Sequence, residues 1–101
     1  MAQSYPIGTA TVSFIDPNDN NTLNLHVFST DGYNVTQRYI LGGSTTWVTG
    51  QFKQPGSAVS ATAWVDGVGA HVRVYCTNDD VTTEWCYDPG TGWVKGIYTT
   101  G

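Results

Sequence analysis

The chain repeats itself, and that repeat limits its possible folds more than any other feature. Leu25-His26-Val27-Phe28 realigns with Val72-Arg73-Val74-Tyr75 at an offset of 47, which also places Thr36 on Thr83 and Gln37 on Glu84. After a one-residue slip, Trp47-Val48-Thr49-Gly50-Gln51-Phe52 matches Trp93-Val94-Lys95-Gly96-Ile97-Tyr98. Upstream, Thr11-Val12-Ser13-Phe14-Ile15-Asp16 matches Ala61-Thr62-Ala63-Trp64-Val65-Asp66. Each unit reads as four short strands: one ending at Phe14 or Trp64, one through Phe28 or Tyr75, one through Tyr39 or Cys86, and one opening with Trp47 or Trp93. The units span approximately residues 9–56 and 57–101 of a single domain, and Gln51–Ser57, with Pro55-Gly56, reads as the link between them. Aromatic side chains alternate with Thr, Ser and Val, and no window shows sustained helical periodicity, so the fold class is all-β.

A four-stranded unit of this length is the mark of a propeller blade. Two blades do not close a ring, since propellers need about four to eight. Left open, the chain exposes sheet faces rich in apolar side chains. A head-to-tail contact whose rotation closes resolves this, and three chains give six blades. The expectation is therefore a six-bladed β-propeller completed by homotrimerisation, with strand exchange between blades left open. A monomeric sandwich with accidental self-similarity is the competing architecture.

Charge narrows the partners. The net charge is −4, with only Arg38, Lys53, Arg73 and Lys95 basic, which disfavours nucleic acid and membrane surfaces. No apolar run approaches a membrane span or a signal core, so the expectation is a cytoplasmic chain or one exported by an unconventional route. If Asp79-Asp80 turns a hairpin, Arg73 stands opposite Cys86 and Cys76 opposite Thr83. The two thiols then lie on opposite faces and do not bridge. In the same register Arg73 and Glu84 are diagonal neighbours on one face. A donor-only guanidinium beside an acceptor-only carboxylate suits a polyol, whose hydroxyls donate and accept. Read blandly, the two are a cross-strand ion pair.

The strings His71-Val72-Arg73-Val74-Tyr75, Thr83-Glu84-Trp85-Cys86-Tyr87-Asp88 and Gly92-Trp93-Val94-Lys95-Gly96-Ile97-Tyr98 resemble the fucose-binding propeller lectins of bacteria and fungi. The likeness is greatest to the short two-blade bacterial members that trimerise. It implies a multivalent carbohydrate-binding protein, without metal or cofactor, that recognises terminal L-fucose or fucosylated glycans at sites between adjacent blades. By resemblance, Arg73 and Glu84 hold the sugar, with Ile40 and Trp47 of a neighbouring chain as the covering wall. A second, weaker site inside one chain pairs His26 and Gln37 with Tyr87 and Trp93. His26 and Gln37 depart from the family's Arg and Glu, and Ile40 departs from its aromatic.

Other residues have plainer readings. Trp64, Phe14, Phe28, Tyr75, Phe52 and Tyr98 read as blade core, and His71 as a satisfied structural histidine. Asp16-Pro17-Asn18-Asp19 is a turn that lacks the spacing of a calcium loop. Catalysis is not expected: Glu84 is the only Glu, no Asp is placed to face it, and no triad or phosphate cradle is present. The alternative functions are a structural or protein-recognition propeller and, behind that, a glycosidase.

Overall fold

A computed structural model describes residues 6–100, and these form eight β-strands with no helix among them. The strands are β1 (Gly8–Asp16), β2 (Thr22–Thr30), β3 (Asn34–Leu41), β4 (Val48–Pro55), β5 (Ala58–Val65), β6 (Ala70–Asn78), β7 (Val81–Asp88) and β8 (Gly92–Thr99). They make two four-stranded antiparallel sheets in chain order, β1-β2-β3-β4 and β5-β6-β7-β8. The link is shorter than the sequence suggests. Gln51–Pro55 belongs to β4, leaving Gly56 and Ser57 between the sheets. Pro55 misleads because the last residue of an edge strand can lack an N–H without breaking the ladder. Trp47 likewise stands just before β4, not within it.

Asp79 and Asp80 both take positive φ, 51° and 66°, as a tight two-residue hairpin turn requires. The resulting register pairs Asn78 with Val81, Arg73 with Cys86 and Cys76 with Thr83, as the sequence suggests. Both cysteines are free and buried, on opposite faces of the sheet.

Alternation decides how the sheets meet. Val12, Phe28, Val35 and Phe52 share one face of the N-terminal sheet and pack on Val72, Val74 and Cys76 of the C-terminal sheet. The Trp93 ring lies 5.9 Å from Phe28, edge-on, and 4.7 Å from Phe52, while Trp85 meets Phe52 edge-on at 6.3 Å. Fully burying a side chain such as Phe28 contributes about 1.5–3 kcal/mol. The sheets come closest along β1 and β5. At the same end as the site described below, Asn18 Nδ2 donates to Val68 O at 2.9 Å and ties the β1–β2 turn to the β5–β6 turn.

The core is narrower than the aromatic content suggests. Phe28 and Phe52 are buried and Phe14 packs on the core, but Trp64 and Tyr98 are 43% and 48% exposed. Together with Tyr75, they lie on the opposite face of the C-terminal sheet. No part of the described chain covers that face as the C-terminal sheet covers Phe14, Phe28 and Phe52.

One local device recurs in both sheets. The β3–β4 register slips between Thr36 and Arg38, and the β7–β8 register slips between Thr83 and Trp85. Such a bulge leaves backbone groups outside the regular ladder. Gln37 Oε1 accepts the Phe52 N–H (3.4 Å), and Glu84 Oε1 accepts the Tyr98 N–H (3.3 Å). The fourth strand makes room with glycine: a Cβ at Gly50 would overlap the Gln37 side chain, and one at Gly96 would overlap Glu84. Because Gln37 is only 5% exposed, it has little space to yield. Gly50→Ala is expected to cost about 1–3 kcal/mol through overpacking, read as a fall in the urea midpoint with unchanged slope.

Candidate functional site

Two places gather polar and aromatic side chains. The first lies between the sheets, where they diverge from their closest approach. His26, Gln37 and Tyr39 of the N-terminal sheet face Tyr87 and Trp93 of the C-terminal sheet around a cavity of about 740 Å³. Asp16 at the end of β1, and Asn18 and Asp19 of the β1–β2 turn, also line it. Tyr87 and Trp93 stand opposite each other across β7 and β8, their rings 5.3 Å apart and tilted by 58°. All four residues assigned to the within-chain site therefore lie around one cavity.

Their roles differ from a simple clamp. The His26 ring is stacked between Phe14 (5.5 Å) and Tyr39 (5.2 Å). Burial there lowers its pKa from the ordinary 6.5 to about 4, so the ring is neutral at pH 7. Gln37 Nε2 donates to His26 Nδ1 at 2.9 Å, which leaves the ring proton on Nε2. His26 Nε2 has no protein partner. Gln37 is itself buried and spent on His26 and the Phe52 amide, so it sets the ring from behind.

The second place is the uncovered face of the C-terminal sheet. Arg73 and Glu84 share it, but each has another partner. Arg73 Nη1 donates to Asp88 Oδ1 (2.9 Å) and Val72 O (3.0 Å), and Nη2 donates to Asp88 Oδ2 (3.3 Å). Its Cζ lies 4.9 Å over the Trp64 ring. Glu84 Oε2 accepts the Tyr75 hydroxyl at 2.7 Å, and this bond chiefly holds the carboxyl below its usual range. The cross-strand ion pair expected from the register thus forms with Asp88 instead. Arg73 has two diagonal neighbours on β7, Glu84 and Asp88. The sequence signal that points to Asp88 is alternation, which puts Glu84, Cys86 and Asp88 on one face. Three of the five guanidinium N–H bonds are used, so two stay free.

His71 extends this network. Its Nδ1 is 2.6 Å from Asp88 Oδ1 and its Nε2 is 2.9 Å from Asp66 Oδ2. Carboxylates on both ring nitrogens raise its pKa, Asp88 most, and in turn His71 is the main cause lowering that of Asp66. The N-terminal sheet does not repeat this network: Leu41 occupies the position of Asp88, Asn24 that of His71 and His26 that of Arg73, although Asp16 keeps that of Asp66.

Ile40 and Trp47 lie apart from Arg73 and Glu84 within one chain. Ile40 alternates with Tyr39, which lines the cavity, and so faces out from the N-terminal sheet. Trp47, 39% exposed, lines a depression of about 580 Å³ on that side with Val27, Thr36 and Arg38. Among the described residues, no cluster of His, Cys, Asp or Glu has the arrangement of a metal site.

The two histidines are expected to titrate in opposite directions. His26, lowered by burial, destabilises the fold as pH falls from about 6.5 towards its folded value near 4. His71, raised by its aspartates, contributes stability fully present below about 6.5 and lost as pH rises through its higher folded pKa. Imidazole NMR titration should show one midpoint near 4 and one above 6.5, and His71→Gln should abolish the loss of stability on the alkaline side.

A family model described as fungal fucose-specific lectin matches residues 6–100. No curated protein matches the chain.

Proposed function

The chain belongs to the fungal fucose-specific lectin family, and from that premise we propose that it binds fucosylated glycans without transforming them. The observation that carries this reading is the cavity between the sheets. It joins a ring corner, Tyr87 and Trp93, to the polar groups of the facing sheet at the place where one repeat meets the next. Apolar walls with a few placed polar groups are what a small-ligand site requires.

The same logic extends to the outer faces. A second chain, seated on the C-terminal sheet as that sheet sits on its own N-terminal partner, brings its Ile40 and Trp47 over Arg73 and Glu84. Three chains joined this way make a six-bladed ring with two kinds of site. At the site between chains, Asp88 and Trp64 hold the guanidinium and Tyr75 and the Tyr98 amide hold the carboxylate. The free guanidinium N–H bonds and the remaining carboxylate lone pairs then meet sugar hydroxyls. The ring multiplies modest single-site affinities on a glycan-covered surface.

A hydrolytic reading fits the face less well. Glu84 and Asp88 stand four residues apart on one strand, roughly 14 Å along it. That exceeds the roughly 5–9.5 Å between carboxyl groups of most glycosidases, and Asp88 is already bound to Arg73.

Retention on immobilised L-fucose with elution by free sugar tests the proposal, and catalytic release of product would contradict it. Arg73→Ala is expected to reduce retention sharply while the mass by light scattering stays at three times 10.9 kDa. Unchanged retention would assign binding to the cavity between the sheets, and a single-chain mass for the wild type would remove the ring.

A further inference from the structure

The repeat gives each sheet the same scaffold, but the two sites carry different charge. At the cavity between the sheets, the position that holds Arg73 in the other repeat is His26, neutral and stacked between rings. The position of Glu84 is Gln37, and that of Asp88 is Leu41. None of the four basic side chains, Arg38, Lys53, Arg73 or Lys95, lines the cavity. The acidic residues Asp16 and Asp19 do. Asp16 Oδ1 accepts the Asn18 N–H at 2.9 Å, which holds that turn in place at the cavity. Tyr39, Tyr87 and Trp93 supply three ring walls.

Aromatic faces attract a cation, and so do carboxylates across a few ångströms of solvent-screened space. A hydroxyl group gains little from either. On this basis we propose that the cavity between the sheets is selective for an amine-bearing sugar, a protonated amino monosaccharide, over its neutral hydroxyl counterpart. At the outer face Arg73 is offset by Asp88 and stands beside Glu84, so that face lacks this bias towards a cation. The inference rests on the carbohydrate reading of the cavity and adds the ligand class to it.

The test compares L-fucose, 2-amino-2-deoxy-L-fucose and its N-acetyl derivative at about pH 6, where a primary amine of this type is protonated. The readout is the Trp93 indole N–H resonance in Arg73→Ala protein, which isolates the cavity from the outer face. The free amine is expected to bind about three- to tenfold more tightly than fucose at low ionic strength. N-acetylation should abolish the gain, and so should about 0.5 M salt. Asp16→Asn/Asp19→Asn should also abolish it, since a carboxamide oxygen in place of the Asp16 carboxylate can still accept the turn hydrogen bond. Equal affinity for amine and hydroxyl, or a gain that survives the double Asn variant, overturns the charge selectivity while leaving fucose binding intact. No perturbation at Trp93 by any of the three sugars overturns the carbohydrate reading of the cavity, and this inference with it.

Discussion

The contact on which the rest depends is the meeting of Phe28 and Phe52 with Trp93 and Trp85. It exists because β2 and β4 of one sheet present rings on the same face that β7 and β8 of the other meet with indoles. Edge-on and tilted ring geometries of this kind are favourable beyond the area they bury. Once this cluster is made, each sheet has spent one face on its sibling. The cavity opens beside it, and each sheet keeps its other face outward, carrying Trp64, Tyr75 and Tyr98 on one side of the molecule and Trp47 on the other.

The two repeats differ in linked groups of residues. In the C-terminal sheet, Arg73 comes with Asp88 beneath it, His71 and Asp66 beyond, and Tyr75 fixing Glu84. In the N-terminal sheet most of the set is replaced, and His26 comes with Gln37, Asn24, Phe28 and Leu41, while Asp16 keeps the place of Asp66. A buried guanidinium without its carboxylate would be costly, as would a carboxylate without its donors. Coherent replacement is the low-cost route between a charged arrangement and a neutral one. The bulge and the glycine beneath it are kept in both, since they serve Gln37 as well as Glu84.

Much of this was legible in the sequence because strands have a period of two. The hairpin at Asp79-Asp80 fixed which side of β6 carries Arg73 and which carries Cys76. The repeat, together with the family likeness, grouped His26, Gln37, Tyr87 and Trp93. What the pattern could not carry was the choice between diagonal partners. Whether Arg73 reaches Glu84 or Asp88 depends on the twist of the sheet and on Trp64 beneath the guanidinium, and neither is encoded in alternation. Trp64 and Tyr98 are more exposed than the sequence suggests for a related reason, because an aromatic residue reads as core whether or not the chain supplies its cover. Gln51–Pro55 reads as a link although it belongs to β4, because Pro-Gly marks a turn equally well at the end of a strand and in the middle of a linker.

The hydrogen bond from Asn18 to Val68 has a consequence for dilution. It joins two turns fifty residues apart in one polypeptide, at the rim of a cavity whose walls all belong to that polypeptide. Such a cavity needs no second molecule to complete its walls. Any site that borrows Ile40 and Trp47 from another copy instead obeys mass action and empties as copies separate. In the proposed ring, a sample at nanomolar concentration and one at micromolar concentration would then differ in the kinds of site they display, and not merely in their number.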